Sequence, residues 1–156
     1  MPGIWNPFDM TFPVSGPQTA AVGTDIDTPI VVQVGTEDMR GPFHLRLRLE
    51  SPSGEKFPLQ GHLEVDDDEL KCCYMGGMYC SFMLRHLRFL KTGTHRMEIE
   101  AWTEHRRLGS RWLPNAFEVV PGPLTPEQEE ANKPTESQQR WYIDPLTGPP
   151  QQANPE

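Results

Sequence analysis

The stretch Phe43-His44-Leu45-Arg46-Leu47-Arg48-Leu49 alternates apolar and polar residues at every step, ending in Glu50 ahead of Ser51-Pro52-Ser53-Gly54. A period of two sets the apolar side chains on one face and the charged ones on the other. That is the pattern of a half-buried β-strand, and the Pro/Gly cluster behind it reads as a turn. The pattern recurs in Thr94–Thr103, where Met97, Ile99 and Ala101 share one face and Arg96, Glu98, Glu100 and Trp102 the other. It recurs again in Ala116–Val120. Pro29–Val34 is β-branched and opens on a proline, which the first position of a strand tolerates. Phe57–Val65 alternates loosely and reads as a hairpin partner for Phe43–Glu50. The apolar, glycine-interrupted segment Cys72–Leu90 offers Phe82, Leu84 and Leu87 to a core. No segment reads as an amphipathic helix. The predicted class is all-β: a single antiparallel immunoglobulin-like β-sandwich of about seven strands.

The flanks break the pattern. Residues 1–19 are rich in Pro, Gly and Thr with irregular apolar spacing, which predicts an extended N-terminal lead able to contribute an edge strand. The sandwich domain is expected over residues 20–121. From Pro121 onward 36 residues hold eight of the 17 prolines, and Thr125–Glu130 is polar and acidic. Such a stretch has too little apolar area to offset its ordering entropy, so 122–156 is expected to be a disordered tail. Inside it Arg140-Trp141-Tyr142-Ile143-Asp144-Pro145-Leu146 interrupts the polar composition with aromatics.

Charge narrows the partner classes. The chain of 156 residues carries a net charge of −8 and a pI near 5.1. That opposes indiscriminate attraction to nucleic acid or anionic membrane. The distribution is uneven: residues 1–84 hold five basic and twelve acidic side chains, residues 85–112 seven basic and three acidic. Three cysteines are an odd number, two of them adjacent, unlike a secreted disulfide framework. Met1–Pro7 lacks the basic and apolar regions of a signal peptide, and no apolar run approaches a membrane span. A reduced, soluble, cytoplasmic protein is expected.

Catalytic and metal motifs are weak. Cys72, Cys73, Cys80 and His86 lack the two-to-four-residue knuckle of structural zinc, so the cysteines read as small buried hydrophobes. Asp66–Glu69 lacks the glycine and terminal glutamate of a calcium loop and reads as a solvated loop. Glu98 and Glu100 share a strand face and could do acid/base work, but their neighbours suggest an ordinary exposed surface. Gly76-Gly77 has no phosphate-loop Lys-Ser/Thr after it. No catalytic residue, metal or cofactor is expected.

Two partner-binding elements are predicted. The first is a basic strip with interleaved tryptophans, of which Arg96, Trp102, Arg106, Arg107 and Trp112 are the chosen residues. Arg85, His86, Arg88, Lys91, His95, His105 and Arg111 surround them. Arg and Trp are enriched at interfaces, although these cations could equally balance the acidic part of the same domain. The second is Trp141, Tyr142, Ile143 and Leu146, a linear motif able to add as a strand to a sheet edge, or a segment that docks on its own domain. The expected function is a non-enzymatic interaction or accessory module that binds a protein or a second copy of itself. Alternatives are a regulatory sandwich touching nucleic acid through the basic strip, and a small hydrolase or metal-binding protein.

Two resemblances bear on this. The strand Phe43–Glu50 leading into Ser51-Pro52-Ser53-Gly54, then Phe82–Leu90, Gly93–Ile99 and Ala116–Val120, resembles a group of uncharacterised bacterial small β-sandwich proteins. The resemblance implies a sandwich fold and lends no activity. The Gly93–Ala101 block with Pro29–Val34 is similar to strands of the velvet-type sandwich of fungal regulators, which implies DNA binding; the acidity of this chain and its lack of long basic insertions depart from that family.

Overall fold

The computed structural model describes residues 8–36, 42–50, 56–57, 62–71, 73–76, 79–104 and 106–144. Extended backbone follows the alternating segments. The strands are β1 (Phe8–Ser15), β2 (Thr19–Ala21), β3 (Ile30–Thr36), β4 (Phe43–Glu50), β5 (Lys56–Phe57) and β6 (Leu63–Val65). After helix α1 (Asp67–Lys71) come β7 (Tyr74–Gly76), β8 (Tyr79–Leu84), β9 (Leu87–Phe89), β10 (Gly93–Thr103), β11 (Arg106–Trp112) and β12 (Phe117–Val120). Helices α2 (Pro126–Asn132) and α3 (Glu136–Ile143) follow. No helix among the described residues is long and apolar enough to cross a membrane.

One sheet runs β1-β3-β8-β7 and a second β2-β12-β10-β4-β5, with β11 also paired to β10; β6 and β9 form a separate pair. These pairings are antiparallel except β2 with β12, which is parallel. β10 lies along β4 from Arg96 to Thr103, while its other partners take different stretches: β12 takes Gly93–His95 and β11 takes Glu98–Thr103. The alternation read from sequence decides what is buried. Leu45, Leu47 and Leu49 of β4 join Met97, Ile99 and Ala101 of β10 in one apolar cluster with Ile30, Val32, Val34, Cys80, Phe82 and Leu84 of the other sheet. Burying each large apolar side chain contributes about 1.5–3 kcal/mol.

The described residues carry more strands than the expected seven: the segment read as Cys72–Leu90 holds β7, β8 and β9, Arg106–Trp112 adds β11, and Phe57–Val65 is not one strand. β5 pairs with β4 through Phe57–Leu49 and Lys56–Glu50, whereas β6 turns away to pair with β9. Leu63 is thereby buried beside Phe89 in the core. The acidic run is not a loop throughout. Asp67–Lys71 forms α1, because the Asp66 carboxylate accepts the Asp68 amide at 2.9 Å and Leu70 is buried beneath. Carboxylates in the first turn also face the positive end of the helix dipole.

Over Pro126–Ile143 the expected disordered tail is instead two capped helices. Thr125 and Gln128 form a reciprocal capping box at 3.1 and 2.9 Å, with Pro126 at the start of the helix; Thr135 and Gln138 repeat it at the same distances. Tertiary contacts supply what composition lacked. Asn132 is buried, and its side-chain oxygen accepts the Gln18 and Thr19 amides at 2.9 and 3.2 Å. Its nitrogen donates to the Thr19 carbonyl at 2.8 Å and to the Asp27 carboxylate, while the Thr28 hydroxyl donates to the Asn132 carbonyl at 2.8 Å.

Trp141 and Tyr142 pack on Val14, Val31 and Met83, a second apolar cluster on the face of the first sheet turned away from the core. The Tyr142 hydroxyl donates to the Pro29 carbonyl at 3.0 Å, and burial, aided by Asp27, pushes its pKa up to about 12. Trp141–Ile143 is therefore the last turn of a helix and not an added strand. Leu146 lies outside the described residues.

Candidate partner-binding face

The second sheet turns one face to the core and the other outward, and the outward face collects the residues that chemistry would use. Four register pairs along β10 and β4 set Arg96 opposite Glu50, Glu98 opposite Arg48, Glu100 opposite Arg46 and Trp102 opposite His44. From the other side β11 sets Trp112 beside Glu98, Ser110 beside Glu100 and Arg107 beside Trp102. Three strands of period two thus build a lattice of alternating cations, carboxylates and indoles.

Both tryptophans are roofed by guanidinium groups. The Arg46 Cζ stands 3.8 Å from the centre of the Trp102 ring, and the Arg96 Cζ stands 4.7 Å from that of Trp112. His44 stacks on Trp102 with centroids 6.1 Å apart. Cation–π contacts of this kind contribute about 0.5–1 kcal/mol at exposed sites. Burial, with Arg46 and Lys71 adding repulsion, lowers the pKa of His44 below its ordinary 6.5.

Glu100 is the hub. Its carboxylate receives the Trp102 indole N–H at 3.2 Å, Arg48 Nη2 at 3.4 Å and Arg107 Nε at 3.3 Å. Arg107 also donates to the Ser110 hydroxyl at 2.7 Å, which in turn donates to Glu98 at 3.0 Å, and Arg96 pairs with Glu50 at 3.1 Å. The two signs lie at different depths. The guanidinium side chains of Arg48, Arg96 and Arg107 are 49, 51 and 49% exposed, whereas the carboxylates of Glu100 and Glu50 are 7 and 15% exposed. Glu98 and Glu100 are therefore not the ordinary exposed pair that their strand position suggested.

Burial pushes the Glu100 carboxyl up, but the Trp102 N–H, Arg48 and Arg107 together outweigh it and hold it below its ordinary 4.5. A depressed folded-state pKa means a contribution present above the ordinary value and lost as pH falls through the folded one. The melting temperature of the Glu100→Gln variant should accordingly lie below that of the parent at neutral pH, with the gap closing in acid. Thermal melts of both proteins across the acid range check this, and a gap that stays constant contradicts it.

The sequence-predicted strip divides into three parts. Arg96, Trp102, Arg107 and Trp112 meet on the outward face. Arg106 does not join them: it pairs with Thr103, in step with the core-facing residues of β10, as does Arg111, which reaches Asp9 of β1 at 3.8 Å. Adjacent residues of a strand face opposite sides, and a register shift between Ala101 and Trp102 decides which arginine faces outward, since without it Arg107 would meet Thr103. Arg85, His86 and Arg88 sit elsewhere, at the β8–β9 corner. His95 is buried, stacked on Phe89 and bonded to the Lys91 carbonyl at 3.0 Å. His105 lies outside the described residues. Arg46, Arg48 and Glu50 belong to the face although the sequence offered them only as strand markers; the signal was the register between two strands of like period.

At the corner, Glu69 Oε1 accepts the Arg85 and His86 amides at 2.8 and 2.9 Å, and Oε2 lies 2.9 Å from His86 Nδ1. Arg88 pairs with Asp25 at 2.7 Å. Asp66, Glu69 and His86 each bring a ligand-type atom to within 4.8 Å of the others, the spacing a metal ion would need. Both oxygens of Glu69 are committed to the corner, so a metal would compete with those bonds. Of the tail motif, Trp141 and Tyr142 are partly buried in cis and Ile143 is 84% exposed.

No protein-family model matches this chain, and no curated protein matches it either. What the face can do follows from its geometry alone. It offers fixed indole planes and outward cations over a carboxylate layer, which is the surface chemistry of recognition.

Proposed function

We propose that this chain is a non-enzymatic β-sandwich module of immunoglobulin-like plan whose β4–β10–β11 face binds an acidic segment of a protein partner. The observation that carries this is the layering of charge. Arg48, Arg96 and Arg107 turn half-exposed guanidinium groups outward while Glu50 and Glu100 stay beneath, so the lattice presents a cationic skin. Guanidinium forks match carboxylates bidentately. The indoles beneath Arg46 and Arg96 supply rigid contact area of the kind that dominates interface hot spots. An acidic polypeptide satisfies both features. Duplex nucleic acid also carries negative charge, about one per 1.7 Å of helix, and at that density a chain of net charge −8 opposes it more than it opposes an acidic polypeptide segment.

The test is titration of the intrinsic tryptophan fluorescence with poly-glutamate and, separately, with a DNA duplex, each at low and high salt. Poly-glutamate is expected to shift the emission at low salt. Arg46→Glu should weaken that response at least about tenfold, since it replaces an attractive contact by a repulsive one at the centre of the face. Duplex DNA matching or exceeding poly-glutamate would replace this reading with the regulatory, nucleic-acid one. Absence of response to either polymer would remove the face as a binding site for polyanions.

A further inference from the structure

β7 is the outermost strand of the first sheet, held to β8 by a three-residue ladder in which Tyr74 meets Ser81, Met75 meets Cys80 and Gly76 meets Tyr79. One residue before the ladder, Cys73 falls on the same side of the sheet as Cys80, diagonally across from it. Both touch the same apolar cluster, Cys80 wholly buried and Cys73 partly so, and both are free thiols. Two free thiols on one side of a sheet edge, one of them open to solvent, have the parts of a two-thiol redox centre.

We propose that Cys73 and Cys80 are such a pair, in which Cys73 is oxidised by a hydroperoxide and Cys80 resolves the product to an intrachain disulfide. The Cys73 thiolate attacks one peroxide oxygen, the O–O bond breaks, and the second oxygen leaves with a proton as water or an alcohol. Cys73 is then a sulfenic acid. The Cys80 sulfur attacks the Cys73 sulfur, the S–O bond breaks, and the hydroxyl departs as water with the Cys80 proton. Two electrons pass from the thiols to the peroxide.

The environment favours that order. The hydrogen bond from Cys80 draws the Cys73 thiol down to about 7 against the opposing effect of burial, while the same bond together with burial pushes Cys80 up. Diagonal neighbours in a sheet have Cα atoms about 7–8 Å apart, and a disulfide wants about 4.4–6.8 Å, so β7 must move toward β8 by an ångström or so. An edge strand held by three residue pairs can make that shift more readily than an inner one.

The experiment uses the full chain carrying Cys72→Ser, which leaves Cys73 and Cys80 as its two thiols. After hydrogen peroxide treatment the denatured protein is alkylated and the tryptic peptide spanning residues 72–85 is weighed. The expected peptide takes up no alkylating agent and is lighter by two hydrogens. In the same background Cys80→Ala should stop at the sulfenic acid and label at Cys73 with dimedone. In the native protein iodoacetamide should modify Cys73 at least about tenfold faster than Cys80. The proposal is overturned if peroxide leaves both thiols alkylatable. It is overturned equally if Cys73 proceeds to sulfinate while Cys80 stays reduced, or if Cys80→Ala gives no dimedone adduct.

Discussion

Replacing Asn132 by alanine is expected to lower the unfolding free energy by about 2–4 kcal/mol, from three backbone groups that lose their partner in a water-poor site. The Asn132 amide acts as one more peptide unit beside β2. Its oxygen takes the Gln18 and Thr19 amides and its nitrogen serves the Thr19 carbonyl. Alanine leaves all three without those bonds, and the Asp27 carboxylate loses a donor as well. Asn132→Asp keeps an acceptor for the two amides but turns an anionic oxygen toward the Thr19 carbonyl and Asp27, so at neutral pH it should cost at least as much. Urea unfolding of the three proteins measures this. A loss for alanine near zero would mean that water replaces the side chain and that α2 is held by other contacts.

The second large effect is expected at Gly16. Its φ is +92°, and a Cβ there would stand 2.8 Å from Ile30 Cγ1 and 3.3 Å from Phe117 Cε1. Ile30 and Phe117 are 0 and 1% exposed, so neither can swing aside. Backbone strain and overpacking act together, and Gly16→Ala should destabilise the protein by about 2–4 kcal/mol. Gly23 is the control. Its φ is +74°, but nothing lies within 4 Å of a Cβ placed there. Gly23→Ala should therefore carry the backbone cost alone, about 1–2 kcal/mol. Equal losses in thermal or urea unfolding at the two sites would show that packing around Gly16 yields.

Alternation carried the reading of β4 and β10, because each buries its apolar face along its length and sets its polar residues on the other, where only Glu100 is buried as well. It failed where burial did not alternate. In β8 every residue from Cys80 to Leu84 is buried, because one face meets the core and Met83 on the other lies under α3. The helices are masked by the proline-rich, acidic composition around them. Thr125-Pro126-Glu127-Gln128 and Thr135-Glu136-Ser137-Gln138 are capping boxes written in the sequence, but their helices are short and gain their stability from the contacts that Asn132, Trp141 and Tyr142 make with distant segments.

The Arg/Trp strip was legible only in part for a similar reason. Period two put Arg96 and Trp102 on one face, but no periodicity announces the register shift that decides which of Arg106 and Arg107 joins them. The pairing that makes Glu100 a buried hub joins residues far apart in sequence. Local pattern gives a face, and only register tells what the face is made of.

The clasp between Asn132 and β2 also orders events in time. β2 is held by β12 in a parallel pairing and by Asn132, partners that follow it by roughly a hundred residues. Neither contact can form while a nascent chain has produced only its first half. Closing loops of that length is slow compared with forming hairpins such as β7–β8. The segment around Thr19 must then wait, without either partner, until synthesis has passed residue 120. During that interval it is the part of the chain most open to a chaperone or to pairing with another nascent copy.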